Sequence, residues 1–336
     1  MATLKWKELY AGTCLIIILF GSHVALAAPY WVGKGAVVEY VAYRDNTYIN
    51  ELLQKGAPPE TVTTASLYYI QNGSGYMIKA YSTSYLRFKI TEASADFFRV
   101  KAEVVLSNVT ILANASSPRF WRGEWTINST CRNNECLYRL KELRITGTYK
   151  ILRKNNEVVV DGRVYGKTFL WIDPTEPPEN GTVLFDADGA VLRVQRLENV
   201  NKSFKTYSGT FGPPLVKLYT SKININVGSV SAEGMNVYLY DGSDFVLLSW
   251  FGLAGIADLR AIGAVTMSLI DQRTGREGIQ TLGPTLYRFT PAPQAPQNLG
   301  EQSSPLAGSG DSSYVRVAFY VMLLIVGGVL VMRLRR

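Results

Sequence analysis

The sequence predicts an all-β protein, built as an antiparallel, meander-rich curved sheet, a sandwich or a barrel-like domain. From residue 28 to about residue 287, apolar and polar residues alternate with a period of two, which is typical of strands with one buried and one wet face. Residues 98–104 are the clearest case, because the apolar side chains from Phe98 to Val104 share one face and the charged ones share the other.

Turn dipeptides separate the predicted strands, as expected for hairpins. They are Asn72-Gly73, Asn155-Asn156, Asp188-Gly189 and Asp241-Gly242. The other segments with strand periodicity are 36–43, 65–71, 76–90, 137–152, 157–164, 183–196, 215–227 and 235–248. Helical signal is confined to 50–55 and to 252–265, the latter being either a helix of small residues or a buried strand pair. The length allows one or two β units, with a possible boundary near residue 155.

The C-terminal end carries a predicted transmembrane helix over residues 314–332. Its apolar run from Val317 to Met332 contains no charge and gives roughly 24 Å of helix at about 1.5 Å per residue. Arg333, Arg335 and Arg336 follow at once, and we expect this basic tail, residues 333–336, to stay in the cytoplasm. The alternative is a sorting signal whose span is exchanged for a lipid.

Residues 1–27 are predicted to form a secretory signal peptide, since Lys5 and Lys7 precede a short apolar stretch and an Ala-x-Ala site. We expect cleavage between Ala27 and Ala28; the alternative is an uncleaved anchor over residues 9–27. Residues 28–290 then form a β-rich ectodomain. Residues 291–313 are rich in Pro, Ser and Gly and cannot bury a core, so they are predicted to be a stalk.

Composition excludes several classes of site. The only histidine, His23, lies in the predicted signal peptide, so the mature chain has none for a general base, a catalytic triad or a metal. Of the formal charge of +8, residues 5–8 contribute +1 and Arg316 with the tail contributes +4, which leaves +3 for the rest. The ectodomain is nearly balanced, so we expect no nucleic-acid partner, and we expect no cofactor.

Modification signals suit an exported protein. Two cysteines, Cys131 and Cys136, remain after processing, and in an oxidising exterior we expect them to form a disulfide at a hairpin tip. Six asparagines start Asn-x-Ser/Thr sequons, and several are expected to be glycosylated. They are Asn72, Asn108, Asn114, Asn128, Asn180 and Asn201.

Catalytic signals are weak. A pair of carboxylates drawn from Glu124, Asp161, Asp173 and Asp244 would be enough for a glycosidase-like hydrolase, but their spacing selects no pair. Residues 186–189 are faintly similar to a calcium loop, and a hairpin turn is the simpler interpretation. The tryptophans at 121, 125, 171 and 250 are expected in the core, with sugar stacking as the alternative.

Three segments carry a resemblance to known proteins: residues 30–40 (YWVGKGAVVEY), 166–174 (GKTFLWIDP, with Gly181 following) and 240–248 (YDGSDFVLL). In this order they resemble uncharacterised single-pass cell-surface β-proteins of thermophilic archaea. The resemblance implies a signal peptide, a glycosylated β-ectodomain, a stalk and a C-terminal anchor in a cell envelope. It implies no activity.

Together these features favour a non-enzymatic type I cell-surface glycoprotein. We expect a single pass through the cell membrane with the ectodomain outside. Its role would be that of an envelope component or a binding or adhesion module, and its partners the membrane together with an envelope lattice protein or further copies of itself. The alternative is a membrane-anchored extracytoplasmic hydrolase that acts on glycans or peptides through carboxylates.

Overall fold

The computed structural model describes residues 28–59, 62–121, 126–227, 230–252, 256–273, 276–277 and 279–285. The predicted signal peptide, stalk, transmembrane helix and basic tail lie outside these residues, as do Ala27 and Glu124. Among the described residues, no helix is both long enough and apolar enough to cross a bilayer.

The described chain is all-β, as predicted, and its strands form a nearly closed antiparallel barrel-like sheet. The strands are β1 (Val37–Ala42), β2 (Ala65–Gln71), β3 (Ser74–Ala80), β4 (Ser84–Ala93), β5 (Phe97–Asn114), β6 (Thr126–Arg132), β7 (Glu135–Leu152), β8 (Glu157–Val160), β9 (Arg163–Lys167), β10 (Val183–Ala187), β11 (Ala190–Val200), β12 (Phe204–Lys205), β13 (Thr210–Phe211), β14 (Leu215–Thr220), β15 (Ile223–Val227), β16 (Val230–Gly234), β17 (Val237–Asp241), β18 (Leu247–Phe251), β19 (Ala264–Asp271), β20 (Arg276–Glu277) and β21 (Ile279–Thr285). Two short helices are α1 (Asn46–Gln54) and α2 (Ala257–Arg260).

The longest ladder joins β5 and β7, which pair from Phe97 opposite Leu152 to Asn114 opposite Glu135. Even-numbered residues of β5 are buried up to Leu106, and odd-numbered ones from Val109 onward. Asn108, with φ of 52°, lies where the alternation changes. At the same level β5 changes its neighbour from β4 to β3. At this kink the buried face of β5 changes from even-numbered to odd-numbered residues, so both halves of β5 keep apolar side chains in the core.

Further strands leave both sides of this central ladder at each of two levels. At one level β5 continues through β4 and β1 to β21, while β7 continues through β8, β9, β10, β11, β14 and β17 to β18. At the other level β5 continues through β3, β2 and β19 to β20, and β7 pairs with β6. The ladder crosses residue 155 without interruption, because β7 and β8 pair directly around that turn.

The two ends of the barrel differ. We call the end at Phe97 the base and the end at Asn114 the tip. Residues 28–36 lie at the base, where the Gly35 amide donates to the carbonyl of Ile90 (2.8 Å). The last residue of β21, Thr285, is opposite Val37 at the same end. The turns between β2 and β3 and between β6 and β7 lie at the tip.

Aromatic rings fill the interior. Tyr40 and Trp250 pack edge to face with ring centroids 5.0 Å apart, and Phe169 lies 5.9 Å from the same indole. Trp31 and Trp171 form a second perpendicular pair at 5.9 Å. All but Phe169 are at most 2% exposed, and Phe169 is 5% exposed. Such pairs add about 0.5–1.5 kcal/mol each beyond the area that they bury.

Candidate functional site

The three segments that carry the resemblance meet at the base of the barrel. The indole N–H of Trp31 donates to the backbone carbonyl of Asp244 (2.7 Å). The Trp171 backbone forms an isolated antiparallel bridge with Val246. The Tyr240 hydroxyl donates to the carbonyl of Phe169 (3.0 Å). We call this meeting point the junction; it fastens the first described residues to β17, β18 and the segment after β9.

The junction also brings two of the candidate carboxylates to the same end of the barrel. Asp244 accepts the hydroxyl of Tyr30 (2.8 Å), and this hydrogen bond, with burial and the nearby carboxylates, raises the pKa of the Tyr30 hydroxyl. Asp173 accepts three bonds at one oxygen: the amide and hydroxyl of Thr175 and the amide of Glu176, at 2.7–3.1 Å. Asp173 therefore stabilises a turn, whereas Asp244 holds the side chain of Tyr30 against the base.

A cleft of about 30 Å³ lies beside Asp173 and is lined partly by Asn156, Trp171 and Tyr240. Its polar walls are connected, because Asn156 accepts the indole N–H of Trp171 (3.2 Å) and donates to Asp173 (3.4 Å). A space of this volume holds a single water molecule, so it has no room for a sugar ring.

The other candidate carboxylates do not join this pair. Asp161 is exposed in the two-residue turn between β8 and β9, where its φ of 49° fits a hairpin turn. Glu124 lies outside the described residues. Among the described residues, no hydrogen bond joins any two of the candidate carboxylates, so no pair of them shares a proton there.

Asp258 is a buried carboxylate that the sequence did not single out. It is 0% exposed and accepts the hydroxyls of Tyr149 (2.6 Å) and Thr168 (2.8 Å) and the amide of Phe169 (2.9 Å). Burial raises its pKa to about 6, although these hydrogen bonds act in the opposite direction. The carboxylate joins α2 to β7 and to the chain after β9 by hydrogen bonds. In the sequence, Asp258 is a single acidic residue among small residues, and no local pattern predicts this role.

Asp188 occupies the loop that is faintly similar to a calcium site, and the structure gives it a different partner. The two-residue turn Asp188-Gly189 joins β10 to β11, and both residues have positive φ. The Asp188 carboxylate binds Arg260 (2.6 Å) and Arg163 (2.7 Å). Burial acts to raise the pKa of Asp188, but the hydrogen bonds from the two arginines outweigh it and hold the pKa below its usual value. Two arginines therefore occupy the carboxylate that a calcium ion would need.

A row of charges crosses the outer wall on β1, β4, β5 and β7. Glu39, which is 0% exposed, pairs with Arg87, and Arg87 also contacts Glu103 (3.4 Å). Glu103 continues to Arg144 (2.9 Å). Burial raises the pKa of Glu39, and the attraction of Arg87 opposes this shift. The alternating signs across neighbouring strands stabilise the wall as cross-strand pairs.

All six sequon asparagines are exposed. Asn72 has φ of 49° in the turn between β2 and β3, and Asn114 ends β5, both at the tip. Asn108 lies at the kink of β5 and Asn128 within β6. Asn180 and Asn201 lie in connections that flank β10 and β11. Whether any of them carries a glycan stays a prediction.

Cys131 and Cys136 form a disulfide across the hairpin of β6 and β7, as predicted. They occupy directly opposite positions, one pair away from Arg132 and Glu135, which flank the turn. The bond therefore closes the end of the hairpin at the tip of the barrel.

Comparisons of the chain with protein-family models, curated proteins and solved structures give no match.

Proposed function

We propose that the chain is a non-enzymatic, type I cell-surface glycoprotein, held in the cell membrane by one C-terminal span and serving as an envelope component or a binding or adhesion module. The observation that carries the proposal is the exposure of all six sequon asparagines. N-glycans are bulky and solvated, so they require exposed acceptor positions. All six acceptor positions are therefore open to modification.

The position of the first and last described residues supports the same proposal. Residues 28–36 and Thr285 lie at the base, so a stalk that follows β21 joins the barrel there. When this stalk attaches the barrel to the membrane, the base faces the membrane and the tip points away from it. The β5 strand, 18 residues long, spans roughly 55 Å at about 3.3 Å per residue. The tip, with Asn72 and the disulfide, is then the part farthest from the membrane.

The packed interior bears on how such a protein would bind. Because aromatic rings occupy the space between the walls, partners are expected on the outer surface. Cross-linking on intact cells, followed by mass spectrometry of the membrane fraction, tests this role. Links to other copies or to a lattice protein are expected, together with glycan masses and an intact C-terminus. A mature C-terminus within residues 291–313 would show that the anchor is removed.

A second candidate function is a carboxylate-dependent hydrolase, which the presence of Asp173 and Asp244 at the junction favours. The purified protein would be assayed against glycan and peptide panels. If this alternative holds, Asp173→Asn and Asp244→Asn each abolish an activity that the control Asp161→Asn retains. If the glycoprotein proposal holds, none of the panels gives turnover that depends on these residues.

A further inference from the structure

Strand β6 is an edge strand at the tip. Within the described residues its only neighbour is β7. Residues 128–135 are all exposed, so the outer part of β6 and the turn have side chains in solvent on both faces, while the opposite β7 residues Cys136 and Tyr138 stay buried against the barrel. An exposed strand edge carries unpaired N–H and C=O groups that can pair with another chain.

The turn identifies which backbone groups are unpaired. Asn133 and Asn134 form a two-residue turn with φ of 46° and 66°, so Arg132 and Glu135 are the hydrogen-bonded pair next to it. The next pair, which carries the disulfide, is then non-hydrogen-bonded, and its Cα–Cα distance of 4.1 Å fits this class. It follows that the N–H and C=O groups of Cys131 and Ser129 point away from β7.

The usual protection of an edge is missing from the middle of β6. Residues 126–131 contain no charge and no proline, and a bulge between Thr126 and Asn128 lies only at the start. If two copies paired β6 antiparallel about Ser129, Arg132 would lie opposite Thr126, so no like charges would meet. Between the bulge at its start and Arg132 at its end, the strand therefore has only the sequon at Asn128 to prevent self-pairing.

We propose that a glycan on Asn128 guards this edge, and that without the glycan β6 pairs with β6 of a second copy. The inference rests on the proposed function, since it needs the chain to be glycosylated. Asn128 lies one residue from Ser129, in the middle of the free edge. A glycan at that position excludes an approaching strand by its bulk.

The test uses the full chain, produced in membranes of a glycosylating host and solubilised in mild detergent. Asn128→Gln and Thr130→Ala each remove the sequon without adding charge. Light scattering is expected to show an approximately twofold increase in protein mass per particle for both. Hydrogen exchange is expected to slow at the amides of Ser129 and Cys131, which would locate the contact on the edge.

Two controls make the result specific. Asn201→Gln removes a sequon outside the edge strand and should leave the particle mass unchanged. Adding Ser129→Lys to Asn128→Gln places a charge on the edge and should restore the original mass.

The outcomes separate this inference from the proposed function. The proposal that the Asn128 glycan protects the edge is contradicted if Asn128→Gln leaves the particle mass unchanged. It is also contradicted if the variant associates without slower hydrogen exchange at the amides of Ser129 and Cys131. An unmodified Asn128 in the native chain also overturns it. If all six sequons lack glycans, the glycoprotein proposal fails as well.

Discussion

Raising the pH should destabilise the barrel through Asp258, which is fully buried and has a pKa raised to about 6. Because the pKa is higher in the folded state, the folded protein holds the proton more tightly than the unfolded chain. The stabilisation is therefore complete below the unfolded pKa near 3.8 and is lost as pH rises toward 6. A shift of this size corresponds to about 3 kcal/mol at about 1.4 kcal/mol per pH unit.

Urea unfolding of a chain that spans residues 28–290, followed by tryptophan fluorescence at pH 4, 5, 6 and 7, measures this effect. The free energy of unfolding is compared with that of Asp258→Asn, which cannot ionise. Glu39 also has a raised pKa and contributes in the same direction, but it is present in both proteins. The difference between the two curves therefore isolates Asp258. Asp161→Asn, in an exposed turn, is the matched control and should keep the native slope.

The result that would refute this reasoning is an Asp258→Asn protein whose stability falls between pH 4 and 6 as steeply as that of the native protein. A native curve that rises over the same range by as much as it was expected to fall would refute it too. Asp188 does not confuse the comparison, because its lowered pKa stabilises the fold above the unfolded pKa and that stability is lost only as pH falls further.

Three substitutions test the packing, each by urea unfolding. Trp31→Ala should cost about 3–5 kcal/mol, because it empties a fully buried position at the base; a loss below about 1 kcal/mol would show that the first residues do not seal the barrel. Gly147→Ala should cost about 1–3 kcal/mol, since an added Cβ would lie 2.5 Å from a side-chain carbon of Ile262, and a neutral result would contradict the close contact. Replacing Cys131 and Cys136 together by Ser should cost about 2 kcal/mol or less, because the closed loop is short; unfolding of the whole chain would contradict this small, local contribution.

Local structure was predictable where the period of two is regular and turns are marked. The predicted strand 65–71 has the same bounds as β2, because a run of apolar and aromatic residues leads directly into the turn at Asn72-Gly73. The helix expected at 50–55 was found but begins earlier, at Asn46, since Asp45 caps it by accepting the amides of Thr47 and Tyr48. The ambiguous region 252–265 contains α2 and the start of β19.

The sequence did not predict the full length of β5 or the closure of the sheet. In β5 the buried residues change from even-numbered to odd-numbered positions at Asn108. A strand predicted from regular apolar–polar alternation would end there, although the ladder to β7 continues. The junction joins residues more than 200 positions apart, such as Trp31 and Asp244, and no local signal reports such contacts. Asp258 was missed for the same reason, because its three donors come from distant segments.

Glycopeptide mapping of peptides released by protease from intact cells is the measurement that tests the surface-display claim most directly. The account predicts that peptides from residues 28–290 are released without lysis and that several carry glycans, with Asn72 at the exposed tip among them. Release of these peptides only after lysis, with every sequon unmodified, would contradict it.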